Sequence, residues 1–171
     1  MTVEKIAELV KSSQKTLWIL CGLPYAGKTY VAKKILKKAD CMYVSIDDIL
    51  HNFGYDWNAN KLPDEEGWKK IFALSYERSR EALGAGKSVL YDSTNHTRES
   101  RDKLREVARS SGANASVIYV KAPVELVRKR WEENKRTNAR FVLDEKLFEK
   151  TIEALEPPAS DEDPVVVGGE Q

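Results

Sequence analysis

The chain has 171 residues, a length that suits one compact domain, and its 42% hydrophobic content is ample for one core, which excludes disorder throughout. Its 28 Lys and Arg nearly balance 27 Asp and Glu, leaving a formal net charge of +1, far from the basic excess of a dedicated duplex-binding protein. Cys21 and Cys41 are too few for a disulfide framework or a metal cluster, and the longest apolar run, Leu17 to Cys21, is too short to cross a bilayer, so a soluble, unexported, cytoplasmic protein is expected.

Along the chain, Met1 to Gln14 is a charged amphipathic stretch. Short apolar runs then alternate with longer amphipathic segments, the pattern of a mostly parallel sheet covered by helices on both faces. The expected strands are Leu17 to Cys21, Met42 to Ile46, Ser88 to Tyr91, Ala115 to Val120 and Val165 to Val167. Lys28 to Ala39 carries Val31, Ile35 and Leu36 on one helical face. Pro63 and Asp64 open a long helix through Trp68, Ile71, Phe72 and Tyr76 to Leu83, which Gly84 and Gly86 can end. Thr97 can cap a helix that Gly112 terminates. Pro123 opens the next, and Asp144 caps a last one that Pro157 and Pro158 stop. No internal repeat or long linker interrupts residues 1–171, and only Ala159 to Gln171 reads as a tail.

Gly22-Leu23-Pro24-Tyr25-Ala26-Gly27-Lys28-Thr29 satisfies G-x-x-x-x-G-K-[ST] between an apolar strand and an amphipathic helix. Glycines there let backbone amides point inward, and the helix N-terminus adds partial positive charge. Lys28 can then reach the β- and γ-phosphates of a nucleoside triphosphate, and Thr29 can bind magnesium. Tyr25 is bulky for such a loop; it either lines the substrate side or covers the loop from outside. Asp47 and Asp48 end the second run and Asp92 ends the third, so all three can face the cradle, because ligands of open parallel sheets bind beyond the carboxyl ends of the strands. Each has a plainer reading as well, Asp47 as the cap of a short helix through Leu50 and Asp92 as a turn residue.

The cradle, Ser45-Ile46-Asp47-Asp48, Asp92-Ser93-Thr94-Asn95 followed by Arg98 and Arg101, the Pro123 helix with Arg128 and Arg130, and Glu156-Pro157-Pro158 occur in an order that resembles small P-loop kinases. That family includes the kinase domain of bacteriophage polynucleotide kinase, chloramphenicol phosphotransferase and zeta-toxin-like kinases. The resemblance implies a P-loop three-layer α/β sandwich with a five-stranded sheet, ATP with Mg2+, and a mobile helical lid over about 128–143. It also implies Asp47 as the general base for an acceptor hydroxyl, with Asp92 supporting the acceptor and the metal. A polynucleotide kinase would carry an arginine about three residues after its base; Leu50 stands there, which disfavours a nucleic-acid acceptor, although His51 or Lys61 offers charge nearby.

Arg128, Arg130, Lys135, Arg136 and Arg140 are either a solvated helix face or phosphate contacts. As phosphate contacts, Arg130 and Arg136 are preferred to Arg128 and Arg140. Trp68, Phe72 and Tyr76 recur at helical spacing and read as core, whereas Phe53, Tyr55 and Trp57 fall in a polar loop and suit a pocket wall against a planar or apolar acceptor or a stacked nucleobase. His51 reads as a surface or packing residue rather than a catalyst. The expected function is transfer of the γ-phosphoryl group of ATP to a small-molecule hydroxyl. The alternatives are a polynucleotide 5′-hydroxyl kinase and an ATP-hydrolysing switch acting through a protein partner.

Overall fold

A computed structural model of the chain describes residues 1–168; the end of the Ala159 to Gln171 tail, 169–171, lies outside them. Five strands form one sheet: β1 (Thr16–Cys21), β2 (Met42–Ser45), β3 (Val89–Asp92), β4 (Asn114–Lys121) and β5 (Pro164–Gly168). Their spatial order is β2-β3-β1-β4-β5, and every pairing is parallel rather than mostly so. The helices are α1 (Val3–Ser12), α2 (Lys28–Leu36), α3 (Ile46–Asn52), α4 (Glu65–Gly84), α5 (Arg98–Ser110), α6 (Val124–Thr137) and α7 (Glu145–Glu153).

β1 is buried along its whole length, and its pleat divides it between two cores. Trp18 and Leu20 join Val3, Ile6, Val31, Ile35, Val127 and Phe148 in the layer built by α1, α2, α6 and α7. Leu17, Ile19 and Cys21 join Ile49, Ile71, Leu83, Leu104 and Val107 under α3, α4 and α5. Each face therefore buries its own helical layer, the three-layer sandwich expected.

Except at α2 and α6, which follow Gly27 and Pro123, helix starts follow short polar side chains that satisfy free amides. The side chains of Asp64, Thr97 and Asp144 accept from the amides of Gly67, Ser100 and Leu147, as expected. At α3 the cap is Ser45, whose hydroxyl accepts from Asp48, and not Asp47. The strand gives way to helix one residue earlier than its apolar run suggests, so the Asp47 carboxylate is not consumed as a cap. α7 ends at Glu153, ahead of Pro157, and the chain then turns back so that Glu156 donates its amide to the His96 carbonyl at 2.8 Å while its carboxylate accepts from the Arg98 amide.

Arg101 is enclosed. Its guanidinium meets Glu162 at 2.6 and 3.1 Å and donates to the Asn95 carbonyl at 3.0 Å, and both side chains of the pair are shielded from solvent. It anchors the segment before β5 to α5 and lies outside the cleft described below. Removing one partner of a buried pair strands the other charge, so Arg101→Met should lower the unfolding free energy in urea by about 3–5 kcal/mol. The exposed Lys69→Ala variant should leave the transition where it is, and equal midpoints for the two variants would show that the Arg101 pair contributes nothing.

Candidate active site

The register of the sheet places the candidate residues. Leu20 of β1 pairs with Asp92 of β3, and Asp92 with Ser45 of β2, so β2 and β3 finish level and β1 runs one residue further. Two residues past Leu20 begins the cradle at Gly22, and two past Ser45 comes Asp47. The Asn95 side-chain amide donates to the Leu20 carbonyl at 2.8 Å, and Gly22 donates to the Thr94 carbonyl at 3.2 Å, which fastens the cradle to the segment after β3.

Two glycines of the cradle are required by sterics. A Cβ on Gly22 would lie 2.7 Å from the Val120 carbonyl oxygen, closer than side chains tolerate. Gly27 has φ +107°, where a Cβ is strained, and leads directly into α2. Lys28 folds back over the loop, its ammonium donating to the carbonyls of Gly22 and Leu23, both at 2.8 Å. Burial pulls its pKa down to about 8, against the opposing pull of the Asp92 carboxylate.

Lys28, Thr29, Asp47, Asp92 and Arg130 line one cleft of about 710 Å³. Asp92 is held by the Tyr43 hydroxyl, which donates to Oδ2 at 2.6 Å. Burial raises its pKa, while Tyr43 and Lys28 act in the opposite direction. Asp47 Oδ1 accepts from the indole of Trp57 at 3.3 Å. Asp48 is exposed and outside the lining, as are His51 and Lys61. Among the described residues no cluster of three metal-ligating side chains occurs. A hydroxyl and a carboxylate facing one cleft nevertheless suit magnesium, which takes one or two protein oxygens and completes its shell with phosphates and water.

Tyr25 lines the cleft, the first of its two expected placements, and is packed inward as well. It is 8% exposed, with its backbone left-handed at φ 65°. Its ring meets Phe148 edge-on at 6.0 Å, and the Arg140 guanidinium lies over it at 4.0 Å. Its hydroxyl donates to the Phe141 carbonyl at 3.3 Å, and its own carbonyl accepts from Arg130 Nη1 at 3.0 Å. Asn134, buried on α6, holds the same segment: its Nδ2 donates to the carbonyls of Arg140 and Phe141 at 3.1 and 3.2 Å, and its Oδ1 accepts from the Arg140 amide at 3.1 Å.

Of the two preferred arginines, the structure brings one to the cleft. Arg130 lines the cleft, but Arg136 is exposed on the last turn of α6 outside it, and Arg140 lines it instead. The chain leaves α6 through the left-handed Asn138 and doubles back, which sequence spacing does not reveal. Arg128 is engaged by Glu149, with Nη2 to Oε2 at 2.7 Å. Trp68 and Phe72 are half-buried: they pack against the core under α3–α5, as expected, and also line the cleft, together with Trp57 and Phe141. Phe53 is 55% exposed and lines nothing there. His96, whose pKa burial lowers, is a further lining residue that carried no sequence signal.

The model of the family described as AAA domain (AAA_33) matches residues 17–158. The L-seryl-tRNA(Sec) kinase of Methanococcus maripaludis is 34% identical over 119 residues, covering 67% of this chain and 44% of the relative, so the chain spans less than half of that curated protein. Among solved structures, a chain of the Pnkp1/Rnl/Hen1 RNA repair complex superimposes with a TM-score of 0.70 at 23% identity over 82% of this chain and 43% of that one. A gluconokinase from Sinorhizobium meliloti 1021 does so with a TM-score of 0.66 at 20% identity over 92% and 84%. At these identities the structural likenesses concern the fold. The family model spans most of the chain and includes the cradle and both aspartates, and the protein belongs to this P-loop family, AAA domain (AAA_33).

Proposed function

We propose that the chain is a single-domain, ATP-dependent kinase that moves the γ-phosphoryl group to an alcohol hydroxyl on a small molecule. The observation that supports this best is the common cleft of Lys28 and Asp47, one at the end of the cradle and the other two residues beyond β2. On this reading the cradle amides and the α2 N-terminus hold the phosphates, and Lys28 exchanges its two loop carbonyls for phosphate oxygens. Asp47 accepts the proton of the acceptor hydroxyl as its oxygen bonds to the γ-phosphorus, while the bond to the bridging oxygen of ADP breaks. Arg130 and Arg140 offset the charge spread over the transferring group, and 128–143 act as the lid that carries them. Thr29 and Asp92 would hold Mg2+, which supplies further charge neutralisation when bound. Free thiols at Cys21 and Cys41 are in keeping with a cytoplasmic setting.

A second reading, an acceptor hydroxyl borne on RNA, draws support from the likeness to L-seryl-tRNA(Sec) kinase. It predicts phosphorylation of an oligonucleotide or charged tRNA with a steep salt dependence of binding.

Lys28→Ala should abolish transfer with the circular dichroism spectrum unchanged. Asp47→Asn should lower acceptor-dependent transfer by ~10² to 10⁴ while ATP affinity barely changes. Full transfer by the Asp47 variant at saturating ATP would remove Asp47 as the base. Asp92→Asn should instead raise the magnesium concentration needed for half-maximal rate.

Arg140→Ala should reduce kcat more than it raises KM for ATP, and Arg136→Ala should change neither; the opposite ranking would return Arg136 to the site. Because Lys28 titrates at about 8 in the free protein, ATP binding should recharge it in alkaline solution. Calorimetry in buffers of differing ionisation enthalpy should detect proton uptake near pH ~9 and little near pH ~7, with affinity falling above pH ~8 by up to about tenfold per unit. Uptake that is equal at both values would mean that Lys28 does not lose its proton.

A further inference from the structure

The cleft has a second wall that phosphate chemistry does not use. Trp57 precedes α4, and Trp68 and Phe72 stand one turn apart on it, so all three belong to the β2 side of the cradle. Phe141 reaches them from the β4 side, its ring 5.2 Å from that of Trp57. Trp57 and Trp68 are 6.0 Å apart, and Trp68 and Phe72 6.1 Å. All four rings line the cleft, and all are half-buried.

The charges of the lining are unevenly shared. Lys28 folds over the cradle, Arg130 engages the Tyr25 carbonyl and Arg140 covers the Tyr25 ring, so the cations gather at the phosphate end. On the α3–α4 side the ionised group of the lining is Asp47, which is negative. Leu50 is 2% exposed in the core, and the nearby cations of this segment lie outside the lining. An acceptor with a carboxylate or phosphate beside its hydroxyl would meet a like charge and apolar rings there.

We propose that this wall binds the acceptor and that the acceptor is an alcohol carried on a flat, uncharged aromatic or heteroaromatic ring. The proposal rests on the kinase reading for the phosphoryl donor and for Asp47. Flat apolar faces hold a flat ring by stacking, and half-burial leaves them edges and faces to offer. Trp57 joins recognition to chemistry, because its indole N–H donates to Asp47 Oδ1 and so orients the carboxylate, which keeps acceptor capacity for the acceptor proton. A ring seated on Trp57 thus brings its hydroxyl beside the base. The acceptor O–H gives its proton to Asp47, its oxygen bonds to the γ-phosphorus, and the bond to the bridging oxygen breaks to release ADP.

The test uses the full chain with saturating non-hydrolysable ATP analogue, so that a ring cannot enter the nucleotide site. Adenosine and 2-phenylethanol are titrated against gluconate and glycerol, with tryptophan emission and equilibrium dialysis as readouts; ADP release is then followed with ATP. At least one aromatic probe should bind and quench emission, the polyols should not, and the arm that succeeds tells a nucleobase from an aryl ring. Trp57→Ala should weaken that probe tenfold or more with ATP affinity within about twofold. Trp57→Phe should keep the affinity and lower kcat, a split that loss of packing alone would not give. Failure of both aromatic probes to bind at millimolar concentration overturns the proposal. So does phosphorylation of gluconate or glycerol that Trp57→Ala leaves unchanged, an outcome in which the kinase reading stands. Saturable binding of an aromatic probe that Trp57→Ala abolishes, with no phosphoryl transfer, supports the wall and removes the kinase reading.

Discussion

The site depends on strand register. A parallel sheet whose neighbouring strands end within a residue of one another delivers whatever follows each of them to one edge, and here Leu20 pairs with Asp92 and Asp92 with Ser45 across β1, β3 and β2. A one-residue slip of β2 would turn Val44 away from the core beneath α3–α5 and move Asp47 from the cleft. The same apolar burial that fixes the fold therefore fixes the distance between phosphate cradle and carboxylate. Gly22 adds a second constraint, since its missing Cβ lets the cradle pass against the Val120 carbonyl of β4.

Tyr25 connects this edge to the segment above it. A bulky residue held left-handed in a phosphate loop is costly unless its surroundings over-determine it, and Phe148, Arg140, Asn134 and the Phe141 carbonyl do so. Both cleft arginines touch the same residue, Arg130 through its carbonyl and Arg140 through its ring. One residue of the cradle thus joins both arginines that line the cleft. Phe141 carries the connection on to Trp57 and so to Asp47, a path of direct contacts from the cradle to the carboxylate beyond β2.

Much of the fold is legible in the sequence because its signals are local. Buried parallel strands are short apolar runs, and Asp64, Thr97 and Asp144 cap the helices they precede. The cradle is legible for the same reason, being one contiguous string. What escapes is what long-range contacts decide. Trp68, Phe72 and Tyr76 have the spacing of a core stripe, and only the position of α4 beside the cleft turns the first two into its wall. In the sequence Arg101 stands out only as part of a motif order after Asp92, and Glu162, far along the chain, claims it in the interior. Arg140 overtakes Arg136 because Asn138 reverses the chain and Asn134 fixes the returning segment. Tyr43, which holds Asp92 from the neighbouring strand, reads in the sequence as no more than a strand residue.

The central claim is that the cradle and Asp47 act on one phosphoryl group, and the fate of that group tests it most directly. A single-turnover reaction with γ-labelled ATP, run with and without a mixture of small alcohols including adenosine and 2-phenylethanol, should place the label on an alcohol, with little inorganic phosphate and little turnover in the mixture's absence. Label recovered as inorganic phosphate at the same rate with or without the alcohols would contradict the account and point to a hydrolytic switch.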